Sequence, residues 1–233
     1  MDEVGLIVTG ITEDGWLKFS TVGGIDPQVL AGRSVLVGAD LPGIIGSKAV
    51  HLQTKEQKEQ PVTMEELTID IGAANRDEAN AAVHLGDPVC FDSVYTRFGD
   101  HKIKGRAIDD RVGCAMLLTL LQQELDFDLY AAFTVQEEVG LRGAAAAAFT
   151  IQPDIAIVLE TTTASDLAGV EPLKQVCRLG EGPAVPFMDR ATLYNRELYE
   201  LALSLIHILI CKRSTQKCGT GSNLSPAKRW TRS

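Results

Sequence analysis

Paired cysteines are missing from this chain. Its five cysteines, Cys90, Cys114, Cys177, Cys211 and Cys218, are odd in number and scattered, with no Cys-x-x-Cys pair. That spacing supports neither a disulfide framework nor a cysteine-ligated metal site, and it points to a reducing compartment, so a cytoplasmic location is expected. No apolar run approaches the roughly 20 residues that cross a bilayer, and no membrane partner is expected. Aromatic residues make up 6% of the chain, too few for the platforms that line a sugar-cleaving cleft. No internal repeat is present. Acidic residues, finally, are absent from Leu203 onward, where six Lys or Arg stand.

That last absence exposes a charge asymmetry. The net charge is −9, but the chain before Leu203 carries 16 basic against 31 acidic groups. An acidic body argues against nucleic acid as a partner. Hydrophobic content of 45% and charged content of 23% are those of a soluble globular enzyme, and 233 residues suffice for one large domain or two small ones.

Two kinds of local pattern divide the chain. Up to Tyr95 the signals are short strands and turns. Residues 5–11, the turn Glu13-Asp14-Gly15 and residues 16–19 read as a hairpin, and residues 33–37, 43–46, 67–72 and 88–91 read as further strands. Thr63 followed by Glu66 forms a capping box, and residues 76–83 read as a short helix. After Phe98 strands and helices alternate: helix 112–123, strand 129–133, an Ala-rich helix from Ala144, strand 155–159, strand 184–188 and helix 193–202. Such alternation is the signature of a parallel sheet covered by helices, an α/β architecture.

Carboxylates collect where these strands end. Thr134-Val135-Gln136-Glu137-Glu138-Val139-Gly140-Leu141-Arg142-Gly143 follows the strand at 129–133, Glu160 closes the strand at 155–159, and Asp109-Asp110-Arg111 opens a helix. The carboxyl ends of strands in an open α/β sheet are where ligands bind. Acidic groups gathered on one rim repel one another unless cations bind them, and divalent metals suit that role. A carboxylate can bridge two ions with one oxygen for each, and Asp109 is placed for it, with Glu138 and Glu160 each capping one ion. Gly140 permits a turn that separates the directions of Glu138 and Glu137, leaving Glu137 as general base toward an attacking water.

Asp2-Glu3-Val4-Gly5, residues 107–113, residues 135–144 and Leu159-Glu160 resemble, in order and spacing, the co-catalytic dinuclear aminopeptidases: the glutamyl and tetrahedral aminopeptidases, including proteins labelled FrvX or cellulase. The resemblance runs from Met1 to about Ala202. It implies a three-layer, parallel or mixed sheet with helices, interrupted by an inserted PDZ-like β-rich domain used in assembly. On that basis residues 1–8 and 96–202 form the catalytic α/β domain and residues 9–95 the insertion. It implies two divalent ions, zinc or cobalt, with Asp109 bridging, Glu138 and Glu160 as terminal ligands and Glu137 as base. Short peptides are the implied substrates, and dimers building a dodecamer the implied assembly.

Two departures from the family pattern bear on activity. The family's first His ligand belongs to a His-x-Asp-Glu motif in which Met1 occupies the x, so that His would precede residue 1 and Asp2, which in the family orients it, has nothing to orient. A second His ligand comes late in the family, beyond the last recognisable helix. His51, His84 and His101 read as surface residues. Residues 203–233 follow no packing pattern and are expected to be an out-of-register or artefactual tail. The chain is therefore expected to be an impaired aminopeptidase. A non-catalytic assembly or peptide-binding protein is the alternative from another class, and a glycoside hydrolase with paired carboxylates is a weaker one.

Overall fold

The computed structural model describes residues 3–55 and 59–215. It divides into two units, Met1–Thr161 and Thr162–Ser233. Asp2 and residues 216–233 lie outside the described residues.

The first unit is built on six antiparallel strands. They are β1 (Gly5–Ile11), β2 (Leu17–Val22), β3 (Ser34–Val37), β4 (Leu41–Gly46), β5 (Thr68–Asp70) and β6 (Pro88–Phe91). Their order, β1-β2-β5-β4-β3-β6, closes because β6 pairs with β1 through Leu6↔Val89. Closure matters physically: it gives every strand a neighbour on both sides, although β2 and β5 meet only at Leu17↔Ile69. The expected hairpin is present, with Ile11 opposite Leu17 and the register shifting between Val8 and Gly10. Its turn is held by the Thr12 amide donating to the Trp16 carbonyl at 2.8 Å and the Trp16 amide donating to Thr12 Oγ1 at 3.0 Å. The Thr63–Glu66 box also forms, the Glu66 carboxylate accepting the Thr63 amide at 3.0 Å. Helix α1 (Arg76–Ala82) is capped by Asn75, which accepts the Glu78 amide at 3.0 Å. Residues 5–8, grouped from sequence with the catalytic part, run inside this barrel, because β1 needs both β2 and β6 as hydrogen-bond partners.

Among the described residues every buried hydrophobic side chain lies between Leu6 and Val89. Strand alternation turns Leu6, Val8, Leu17, Phe19, Val35, Val37, Ile45 and Ile69 inward, and α1 closes the set with Ala79. Each fully buried Leu, Ile or Val contributes on the order of 1.5–3 kcal/mol.

Beyond the barrel come the hairpin β7 (Thr96–Phe98) and β8 (Lys102–Lys104), then α2 (Ile108–Leu120) and α3 (Arg142–Ile151). The strands expected at 129–133 and 155–159 form no ladder among the described residues, and Tyr130, Ile157 and Val158 are exposed. Apolar runs adopt a strand only when neighbours take up their backbone groups. In the second unit the strand expected at 184–188 is reduced to one bridge, Met188↔Leu193. Helix α4 (Arg196–Thr215) continues past Ala202, where the sequence suggested an end. Neither Gly nor Pro interrupts residues 203–215, so nothing local stops it. No helix of the described residues is long and apolar enough to cross a membrane.

Candidate metal centre

The site grows from the start of α2. Ala107 adopts a left-handed conformation at φ 49°, Asp109 and Asp110 have non-helical backbone, and the Asp109–Asp110 peptide is cis. The regular helix therefore begins at Arg111. Asp110 Oδ1 accepts the Gly113 amide at 2.8 Å, the geometry of a residue capping a helix start, where a negative charge is also favoured by the helix dipole. A Cβ on Gly113 would overlap that carboxylate.

Glu160 reaches the same place from the end of the second apolar run. One oxygen each of Asp109, Asp110 and Glu160 lie within 4.8 Å of one another. Partial desolvation, then Asp109 and Asp110, push the Glu160 carboxyl up to about 7, against the opposing hydrogen bond from the Thr161 amide at 3.0 Å. Desolvation and the Asp109 charge likewise raise Asp110, while the Gly113 amide works the other way. Crowding that raises carboxyl groups above their ordinary range is what an oxygen-binding divalent cation would relieve. The donor set thus fits such an ion.

Glu137 and Glu138 occupy a stitched loop. The Glu137 carbonyl accepts the amides of Gly140 and Leu141 at 2.9 Å, the Arg142 amide donates to Gln136 at 3.1 Å, and the Gly143 amide donates to Val135 at 3.0 Å. Gly140, at φ 116°, supplies the turn anticipated for it. Gly143 has room for no side chain: a Cβ would collide with the Val135 backbone. Glu138 lies against the barrel rim, where a Cβ on Gly23 would come within 2.9 Å of its Oε2. Among the described residues Glu138 is not one of the carboxylates gathered within 4.8 Å. Of the four described site residues, then, Asp109 and Glu160 meet, Asp110 joins them, and Glu137 and Glu138 stand on a loop of their own, outside that group.

The motifs that carry these groups decide the family. A family model described as M42 glutamyl aminopeptidase matches residues 1–207. The chain belongs to the M42 glutamyl aminopeptidase family. FrvX of Escherichia coli (strain K12) is 40% identical over 205 residues, covering 85% of this chain and 58% of FrvX. A crystal structure of the TET aminopeptidase from Thaumarchaeota archaeon SCGC AB-539-E09 superposes with a TM-score of 0.83 at 35% identity, over 90% of this chain and 61% of that one. The PhTET1-12s dodecamer gives a TM-score of 0.73 at 34% identity, over 90% and 63%. The chain thus spans about 60% of the length of these M42 relatives.

Several structural contributors in this M42 chain escaped sequence reasoning. Gly113 had a visible signal, a glycine three residues after Asp110 inside an apolar helix, where it costs helix propensity. Gly143 closes the glutamate motif in the same way. Gly23 gave none, because its partner Glu138 is remote in sequence.

Proposed function

We propose that this chain carries the carboxylate half of the two-metal centre of an aminopeptidase that removes N-terminal residues from short peptides. The observation that carries the reading is the convergence of Asp109, Asp110 and Glu160 on one point at the motifs shared with the M42 family. Asp109 would bridge two divalent ions, zinc or cobalt, and Glu160 and Glu138 would each hold one. Bound there, such ions supply Lewis acidity and lower the pKa of a coordinated water toward ~7. Glu137 would accept the proton of the attacking water and later deliver it to the leaving amine. Asp2 would orient a His ligand, as in the family. Among the described residues no histidine joins the carboxylates, so the chain by itself should hold metal weakly and turn over slowly.

The barrel of β1 to β6 is, in this proposal, the PDZ-like insertion through which dimers build a dodecamer, a reading supported by the dodecameric relative. A cytoplasmic location belongs to the same proposal. A non-catalytic assembly or peptide-binding role is favoured by one observation: among the described residues the buried hydrophobic side chains all lie between Leu6 and Val89. Glycoside hydrolysis is disfavoured, since carboxyl oxygens within 4.8 Å leave less room than the roughly 5–10 Å that straddle a sugar bond.

The deciding experiment is release of 4-nitroaniline from amino-acid anilides by the zinc- or cobalt-loaded chain, with and without chelator. Metal-dependent release that Glu137→Gln abolishes, with bound metal retained, supports the aminopeptidase. Asp109→Ala should instead lose both ions. Metal binding without any release would favour the non-catalytic role, and release insensitive to chelator would sink the two-metal reading.

A further inference from the structure

Glu3 sits just ahead of β1, 103 residues from its partner in the chain. Its carboxylate accepts Arg106 Nε at 3.0 Å and pairs with Arg106 Nη2 at 2.7 Å, a two-pronged contact. Arg111 Nη2 approaches the same carboxylate at 3.8 Å. Neither pair is a fully solvated surface contact, because the Glu3 side chain is only 23% exposed. Arg106 and Arg111 are also the cations that bracket Asp109 and Asp110 in sequence. Among the described residues both arginines pair with Glu3 and with none of the three clustered carboxylates. Arg106 has a further fixed contact, Nη1 to Cys90 Sγ at 3.2 Å on β6. The segment leading into Asp109 is therefore pinned to β6 and to the residue just ahead of β1.

We infer that Glu3 is a positioning residue for the metal centre: it anchors Arg106 on the barrel and keeps both arginines from neutralising Asp109, Asp110 and Glu160. The inference rests on the metal-centre reading above. An arginine released beside an acidic group becomes its counter-ion, and a divalent cation must then displace it. Glu3→Gln removes the charge that holds the two guanidinium groups while nearly preserving side-chain volume. Groups hydrogen-bonded directly to metal ligands change metal affinity by about 10–100-fold, and Glu3, acting through the two arginines, should act at the lower end of that range.

The test titrates zinc into the full chain by calorimetry, with thermal unfolding as the check on folding. Glu3→Gln should weaken zinc binding by about 10-fold or more, and Glu3→Gln/Arg111→Gln should regain much of it, because the more loosely held cation is gone. Arg111→Gln alone, which leaves the Glu3–Arg106 pair intact, should not weaken binding. Unchanged affinity in Glu3→Gln, no recovery in the double variant, or weakened binding in Arg111→Gln overturns the inference while leaving the metal centre standing. A parent chain that binds no zinc overturns the metal centre itself, and the inference with it.

Discussion

Asp110 and Gly113 exclude any side chain between them: the carboxylate takes the Gly113 amide at 2.8 Å and fills the space a Cβ would need. Helix propensity alone would make Gly113→Ala stabilising by about 1 kcal/mol. The overlap predicts the opposite, because Asp110 must leave its cap, which costs ~1 kcal/mol, and the displaced carboxylate crowds its neighbours further. Urea unfolding should show a net loss of stability for Gly113→Ala. A gain would mean that Asp110 does not rest on this turn.

The glutamate motif makes a parallel case. In Gly143→Ala the new methyl group would meet the Val135 backbone, so the loop carrying Glu137 and Glu138 must open. Overpacking of this kind costs roughly 1–3 kcal/mol. Faster hydrogen exchange at the amides of Gly140 to Gly143, whose partners are Val135, Gln136 and Glu137, is the expected signature. Unaltered protection in the variant would contradict it.

Stability should reside in the barrel. Leu17 and Ile69 are fully buried, and truncating either to Ala should cost about 2–5 kcal/mol. Phe149 is 80% exposed on α3, and Phe149→Ala should fall within about 0.5 kcal/mol of the parent chain. Chemical denaturation distinguishes the two. Comparable losses at both places would show that α3 packs into a core of its own.

The Glu160 carboxyl yields a pH dependence with a definite sign. In the folded chain it keeps its proton up to about 7, whereas in the unfolded chain it releases it near the usual carboxylate value of about 4.3. Between those values the folded state binds more protons, so the contribution present below the unfolded value is lost as pH rises towards 7. Asp110 shifts in the same direction. Under chelator, Glu160→Gln should lose less stability than the parent chain between pH 5 and pH 8. Divalent metal must displace the same proton, so its binding should strengthen as pH rises through about 7. Equal pH slopes for variant and parent would refute the crowding.

How much of this could be read beforehand depended on the range of the interaction. The hairpin around Thr12 and Trp16, the Thr63–Glu66 box and α1 were legible because their hydrogen bonds join residues a few positions apart. Asp109 and Glu160 were legible as members of one acidic group because each stands in a short acidic motif, and the structure brings their oxygens within 4.8 Å although the strand expected before Glu160 does not form. The same periodicity overstated residues 129–133 and 155–159. An apolar run reports a demand for burial, and whether a ladder meets that demand depends on neighbours.

From the sequence alone came the family, the acidic motifs and a strand-rich first half, since each rests on residue type and short spacing. Only the tertiary structure decided that β6 returns to β1 and closes the barrel, that Asp110 joins Asp109 and Glu160, and that Glu3 takes both Arg106 and Arg111. Those contacts join residues up to about a hundred positions apart, which no local pattern encodes, and the longest of them, Glu3 to Arg106, is a hydrogen bond to the residue just ahead of β1.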